Sequence, residues 1–199
     1  MGVLMRFSRS MLWFETLLPL AILVSSNPVH AEGRDMYFPT KIGAKWVYEY
    51  DGKEETEEIT HVEKKDSSFI VTVHRVNRFG KSSDSKLNVS TEGLVRLTGG
   101  PAVVHPPMQL LKLPHKAGQD WETHTGAWLG PKGTLTAFGP EKVRVPAGKY
   151  EAIRVETRFL QTHAESVLAK YWYAPNVGLV KEQYGDHVRV LKSFLPGKD

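Results

Sequence analysis

Residues 143–158 read VRVPAGKYEAIRVETR, two runs of β-type residues parted by Pro146-Ala147-Gly148-Lys149. A phosphate-cradling loop needs successive free backbone N–H groups and a helix N-terminus behind them. Pro146 removes one donor, and beyond Gly148 the residues Ile153, Val155, Thr157 and Phe159 alternate with Arg154, Glu156 and Arg158, the period of a strand. The stretch therefore reads as a hairpin corner, with Pro146 presetting φ and Gly148 supplying a left-handed residue. Setting Val145 opposite Tyr150 puts Arg144 across from Glu151 and Glu141 across from Arg154, so that opposite charges meet. Apolar parity changes between Tyr150 and Ile153, which predicts a β-bulge near Ala152 and a curved sheet.

The same alternation runs outward in both directions, and no window after residue 31 sustains a helical period. Strands are predicted at 45–51, 55–64, 68–79, 86–90, 93–97, 120–125, 134–138, 141–145, 150–159, 166–173, 179–184 and 188–194. The fold class that follows is all-β: a single curved antiparallel sheet, a half-barrel or open barrel of about 10–12 strands. Two stretches, IGAKWVYEY (42–50) and AGQDWETHT (117–125), place Gly three residues before Trp, and EGLVRL (92–97) is echoed by VGLVKE (177–182). These echoes predict two similar halves, 37–98 and 112–194, linked by 99–117. The linker carries Pro101, Pro106, Pro107 and Pro114, which a central strand would not tolerate. It reads as a crossover whose Met108, Leu110, Leu111 and Leu113 cover an apolar face.

Residues 1–31 have the layout of a secretory signal: Arg6 and Arg9, an apolar stretch from Met11 to Val24, then small residues up to a cleavage site after Ala31. Met5 is an alternative start. The apolar stretch contains Glu15 and Pro19 and is shorter than the roughly 20 residues of a spanning helix, so no membrane-spanning segment is expected after cleavage. Residues 32–199 are then a single domain. With no cysteine among 199 residues, disulfides, thiol catalysis and an acylated lipoprotein Cys are excluded. Loss of Arg6, Arg9 and Glu15 lowers the net charge from +4 to a slight surplus. The remaining basic residues are interspersed with acids, which argues against nucleic acid as a partner.

The phrases YFPTKIGAKWVYEY (37–50), KLPHKAGQDW (112–121), VRVPAGKYEAIRVE (143–156) and YWYAPNVGLVKEQY (171–184), taken in that order, resemble a widespread group of exported bacterial proteins and lipoproteins. The resemblance covers essentially the whole chain after the signal. It implies an architecture similar to the curved antiparallel half-barrels of periplasmic lipoprotein carriers of the LolA and LolB type, and it brings no catalytic residues. An exported location, periplasmic or extracellular, is what it implies.

Motifs for chemistry are sparse. There is no nucleophile elbow, Walker loop, His-Glu-x-x-His or dinucleotide fingerprint. His105, His115 and His124 are separated by 10 and 9 residues, a spacing that matches no common metal-ligand pattern. Glu54, Glu55, Glu57 and Glu58 read as the wet face or edge of a strand. No metal and no cofactor is expected. Trp46, Tyr48 and Tyr50 share one face of their strand, and Tyr171 and Tyr173 share one face of theirs. These rings either line a cavity or fill the core. Residues 126–140, rich in Gly, read as a long hairpin or loop that presents Trp128 to a partner or packs it as an anchor.

The candidate ligand-binding residues are therefore Trp46, Tyr48, Tyr50, Met108, Leu110, Leu111, Trp128, Tyr171 and Tyr173. The leading expectation is a non-enzymatic envelope protein that binds an apolar ligand, lipid or hydrophobic peptide segment on a concave sheet face. The alternatives are a filled β domain acting as an interaction or assembly module with an envelope protein, and a hydrolase or isomerase with a dispersed site.

Overall fold

The computed structural model describes residues 36–124, 132–161 and 164–198. The expected signal segment and Trp128 lie outside the described residues. Twelve strands follow one another: β1 (Lys45–Tyr50), β2 (Lys53–Lys65), β3 (Ser68–Val76), β4 (Ser82–Ser90), β5 (Gly93–Gly99), β6 (Ala102–Lys112), β7 (Asp120–His124), β8 (Lys132–Val145), β9 (Gly148–Gln161), β10 (Ala164–Ala174), β11 (Gly178–Tyr184) and β12 (His187–Leu195). They form a single antiparallel sheet in the order β6-β5-β4-β3-β2-β1-β12-β11-β10-β9-β8-β7. The last strand pairs with the first and joins the two six-stranded runs at the middle of the sheet, which curls into a nearly closed barrel with one unsealed seam, between its edge strands β6 and β7.

Tight turns hold the register. Asp51 and Gly52 have φ of 50° and 73° and join β1 to β2, with Tyr50 paired to Lys53. Two positive φ values make a turn whose twist matches that of the strands. At the 143–158 corner the register differs from the expected one: Val145 pairs with Gly148 and Arg144 with Lys149, so only Pro146 and Ala147 form the turn. Gly148, at φ 145°, already belongs to the strand, in a region that glycine alone enters readily. The bulge lies beside Ala152, as expected, but on the partner strand. Phe138 pairs with Arg154 and Glu141 with Ala152, leaving Gly139-Pro140 opposite Ile153. Pro140 cannot donate to a ladder, and the bulge accommodates it within one continuous β8. Glu141 and Arg154 still meet diagonally, at 3.4 Å.

Two further expectations are corrected. Residues 102–112 are not a strap over the sheet; they are the edge strand β6, paired with β5. Pro106 and Pro107 are tolerated there because an edge strand has one side free of ladder bonds. Residues 132–140, expected as part of a long hairpin or loop with a short strand at 134–138, belong to one continuous β8.

The two Gly-x-x-Trp stretches make the same backbone contacts. Gly43 donates to Ile59 O (2.9 Å) and Ile59 donates to Ala44 O (2.9 Å); Gly118 donates to Ala137 O (2.8 Å) and Ala137 to Gln119 O (3.0 Å). Ahead of each Trp, Ala44 donates to Lys41 O and Gln119 to Lys116 O. Gly43 and Gly118 sit at φ 79° and 77°. The first contact set opens β1 and the second opens β7, six strands later.

Burial follows the inward faces, with Trp46, Tyr48, Ile59, Val71, Val89, Leu111, Leu135, Ile153, Val180 and Leu191 almost fully enclosed. Gly93, at φ 134°, starts β5 where the backbone of β6 passes so closely that a Cβ would stand 2.0 Å from Leu111 O. Gly118 has open space around its missing Cβ. Gly118→Ala is expected to cost about 1–2 kcal/mol through its φ alone. Gly93→Ala is expected to cost clearly more, because strain and displacement of β6 add together. Urea unfolding of both variants, compared with wild type, measures the difference.

Candidate functional site

A barrel of about eight strands is just wide enough for its own side chains to fill, and diameter grows with strand number. Twelve strands therefore enclose more space than the core residues occupy. The interior holds a cavity of about 350 Å³. One wall comes from β3 to β6, with Val73, Arg75, Ser83, Ser85, Leu87, Leu94, Arg96, Met108 and Leu110. The facing wall comes from β10 to β12, with Tyr171, Tyr173, Leu179, Glu182 and Arg189; Phe38, Glu57, Gly99, Gly100 and Leu135 complete the lining. A second space of about 240 Å³ shares Arg75 and Ser83 with the first and is bordered by Tyr50, Asn77, Arg78 and Phe79.

The aromatic faces divide into two groups. Trp46 and Tyr48 are packed core: the indole N–H donates to Val177 O at 2.8 Å and the phenol to Leu179 O at 2.9 Å, while Phe38 and Phe194 lie against Trp46. Their polar atoms are thus satisfied by the start of β11, reached across β12. Leu111 is also fully buried in packed core. Tyr50 stands at the second space with the Arg78 guanidinium 4.0 Å from its ring centroid. Met108, Leu110, Tyr171 and Tyr173 are brought together on the cavity wall. Tyr171 and Tyr173 stack with centroids 6.4 Å apart. Between them Trp172 turns away, its indole donating to Glu141 at 2.5 Å.

The residues that sequence reasoning missed are charged. Arg189, only 4% exposed, lies 3.7 Å above the Tyr48 ring centroid and meets Glu57 at 2.5 Å, Glu55 at 3.0 Å and Glu182 at 3.7 Å. Arg75 donates to Glu55 at 2.6 Å. The acidic run, on β2 within the sheet and not at an edge, is split between two faces. Glu54 and Glu58 form the expected wet face, against Lys192 and Lys45, while Glu55 and Glu57 point inward and neutralise Arg75 and Arg189. One signal was available in VRVL (188–191), where Arg189 shares parity with Leu191 while Val188 faces out.

Burial on its own would raise the Glu55 carboxyl, but the hydrogen bond and charge of Arg75, with Arg189 behind it, leave it below the usual range. Burial lowers the Arg189 guanidinium less than Glu57, Tyr48 and Glu182 raise it, so it stays charged. Burial, then the charge of Glu57, pushes the Tyr48 phenol up.

Among the described residues no three His, Cys, Asp or Glu side chains are placed to hold a metal ion. None of the described histidines lines the cavity; His74 and His187 lie outside it, against Asp84 and Asp51.

Because Glu55 has a depressed folded-state pKa, the unfolded chain takes up its proton first as pH falls. Its stabilising contribution is full above the unfolded value of about 4.3 and is lost as pH drops through the folded value. Glu55→Gln is expected to lower the melting temperature at pH 7 and to flatten its decline between pH 6 and 3. Arg189→Met, which leaves Arg75 alone against Glu55 and Glu57, is expected to cost up to about 3–5 kcal/mol at pH 7. Thermal and urea unfolding across pH check both.

No protein-family profile and no curated protein matches the chain. Two solved structures are similar. A "putative exported protein with YmcC-like fold" from Bacteroides fragilis NCTC 9343 matches with a TM-score of 0.52 at 16% identity, over 81% of this chain and 99% of that one. A "putative lipoprotein" from Parabacteroides distasonis ATCC 8503 matches with a TM-score of 0.47 at 15% identity, over 81% and 99%. At these identities the likeness is one of fold: this chain shares its β architecture with the Bacteroides fragilis protein.

Proposed function

We propose that this is an exported, non-enzymatic envelope protein whose barrel interior holds one small apolar or amphipathic ligand. The cavity carries the proposal. Its volume of about 350 Å³ lies at the lower end of the range for small-molecule sites, and its wall sets apolar Leu87, Leu94, Met108 and Leu110 beside polar and charged groups in comparable measure, as an amphipathic ligand requires. Export is supported by the signal layout of residues 1–31 and by the likeness in fold to a "putative exported protein" of Bacteroides fragilis. The resemblance to lipoprotein carriers points the same way.

Burying about eight methylene groups at about 0.8 kcal/mol each is worth about 6 kcal/mol. That corresponds to a Kd in the tens of micromolar before the costs of ordering, which sets the concentration range for an assay. Purified protein lacking residues 1–31 is expected to enhance the fluorescence of a neutral hydrophobic probe and to carry a co-purifying small molecule in native mass spectrometry. Met108→Trp, which projects bulk into the cavity from the edge strand, is expected to weaken probe binding at least tenfold while leaving the melting temperature within a few degrees. A dry interior with no bound molecule and no probe response would overturn the proposal and leave the assembly-module reading, which pull-down from envelope extracts tests.

A further inference from the structure

The cavity's charges are not evenly cancelled. Arg75 and Arg189 are shared by Glu55, Glu57 and Glu182, three carboxylates around two guanidinium groups. The remaining cation, Arg96, lines the same cavity from β5. Among the described residues it has neither a hydrogen bond nor an ion pair, although a guanidinium offers five N–H donors in a fixed fork. Its partners across the sheet are Leu87 on β4 and Met108 on β6, both of which also line the cavity and supply no acceptor side chain.

The opposite wall has the matching feature. Tyr48 spends its phenol on a backbone carbonyl, but the hydroxyls of Tyr171 and Tyr173 have no hydrogen-bond partner among the described residues, and both rings line the cavity. Burial, then the charge of Glu182, pushes the Tyr171 phenol up to about 12. Burial, then Tyr171, raises that of Tyr173. Both therefore stand as neutral O–H donors at neutral pH. Arg96 is near enough for its charge to be felt at both phenols. Three donors with no partner among the described residues, the solvent-exposed Arg96 guanidinium and two phenols, thus line one cavity of mixed polarity, and the nearby carboxylates are already engaged by Arg189.

We propose that the cavity takes a single-chain amphiphile with an anionic head, a carboxylate or phosphate, seated between Arg96 and the hydroxyls of Tyr171 and Tyr173, with its chain along Met108 and Leu110. This rests on the reading of the cavity as a ligand site and adds the chemistry of the head. A charged acceptor turns the Arg96 contact into a charge-assisted pair of the bidentate kind. Glu182, paired with Tyr171 across β10 and β11, opposes the same head, so the charge that holds it is that of Arg96 on β5.

The test is displacement of the neutral probe from the protein lacking residues 1–31. Laurate and dodecyl phosphate are expected to displace it at concentrations at least tenfold below dodecanol, while acetate and inorganic phosphate do not displace it. Arg96→Gln, which breaks no bond within the protein, is expected to bring laurate and dodecyl phosphate to the level of dodecanol and to leave probe affinity within about twofold. The double variant Tyr171→Phe and Tyr173→Phe is expected to lose part of the same preference. Equal displacement by the two anionic chains and dodecanol, or an unaltered preference in Arg96→Gln, would overturn the anionic head while the ligand site stands. Displacement by acetate or inorganic phosphate alone would overturn the requirement for a chain. If the probe itself does not bind, the ligand site fails, and this inference with it.

Discussion

The interior of this protein depends on the ladder between its first and last strands. β1 and β12 pair from Lys45–Leu195 to Tyr50–Arg189, with a register shift after Val47. Without that ladder the chain would fall into two six-stranded sheets, β1 to β6 and β7 to β12, with no common interior. The inward side chains reinforce it. Arg189 on β12 reaches Glu55 and Glu57 on β2, spanning β1 and stacking on Tyr48 as it crosses. On the outside, Lys192 makes the same span to Glu54 at 2.7 Å. Trp46 and Tyr48 bind in the other direction, from β1 to the carbonyls of Val177 and Leu179. A buried ion pair seldom adds much net stability. This one ties together strands that are more than a hundred residues apart in the chain.

Closure explains why there is a cavity and where its polarity lies. Trp46 and Tyr48 of β1 are consumed in holding the two halves of the sheet together, so they are unavailable to a ligand. Tyr171 and Tyr173 of β10 line the cavity, where among the described residues their hydroxyls meet no partner. The same alternation of Tyr residues thus serves two purposes, and the difference is one of position around the barrel.

Much of the architecture was legible in the sequence. Alternation located eleven of the twelve strands in whole or in part, since all but β6 (Ala102–Lys112) overlap a predicted run. β6 escaped because its prolines weigh against a strand unless the edge is known in advance, and edges are set by the whole sheet. β8 read as two pieces because Gly139-Pro140 marks a break locally, whereas the ladder absorbs it as a bulge. The hairpin register at Pro146 slipped by two residues because the sequence does not say whether Gly148 turns the chain or continues it. The charged interior was the least visible part. Glu55, Glu57 and Arg189 satisfy one another across strands far apart in sequence, and no local pattern separates such a network from a solvated face.

The seam between β6 and β7 carries a consequence of its own. Elsewhere, moving two strands apart breaks a run of backbone bonds. Here, among the described residues, the crossing bond is the Trp121 indole to Gln109 O at 2.9 Å. The net worth of one such bond is about 1 kcal/mol. The barrel's mechanical compliance is therefore concentrated along a single line, and β6, which borders that line, is also the strand that places Met108 and Leu110 in the cavity wall. Widening the bore and rearranging its apolar lining are the same motion.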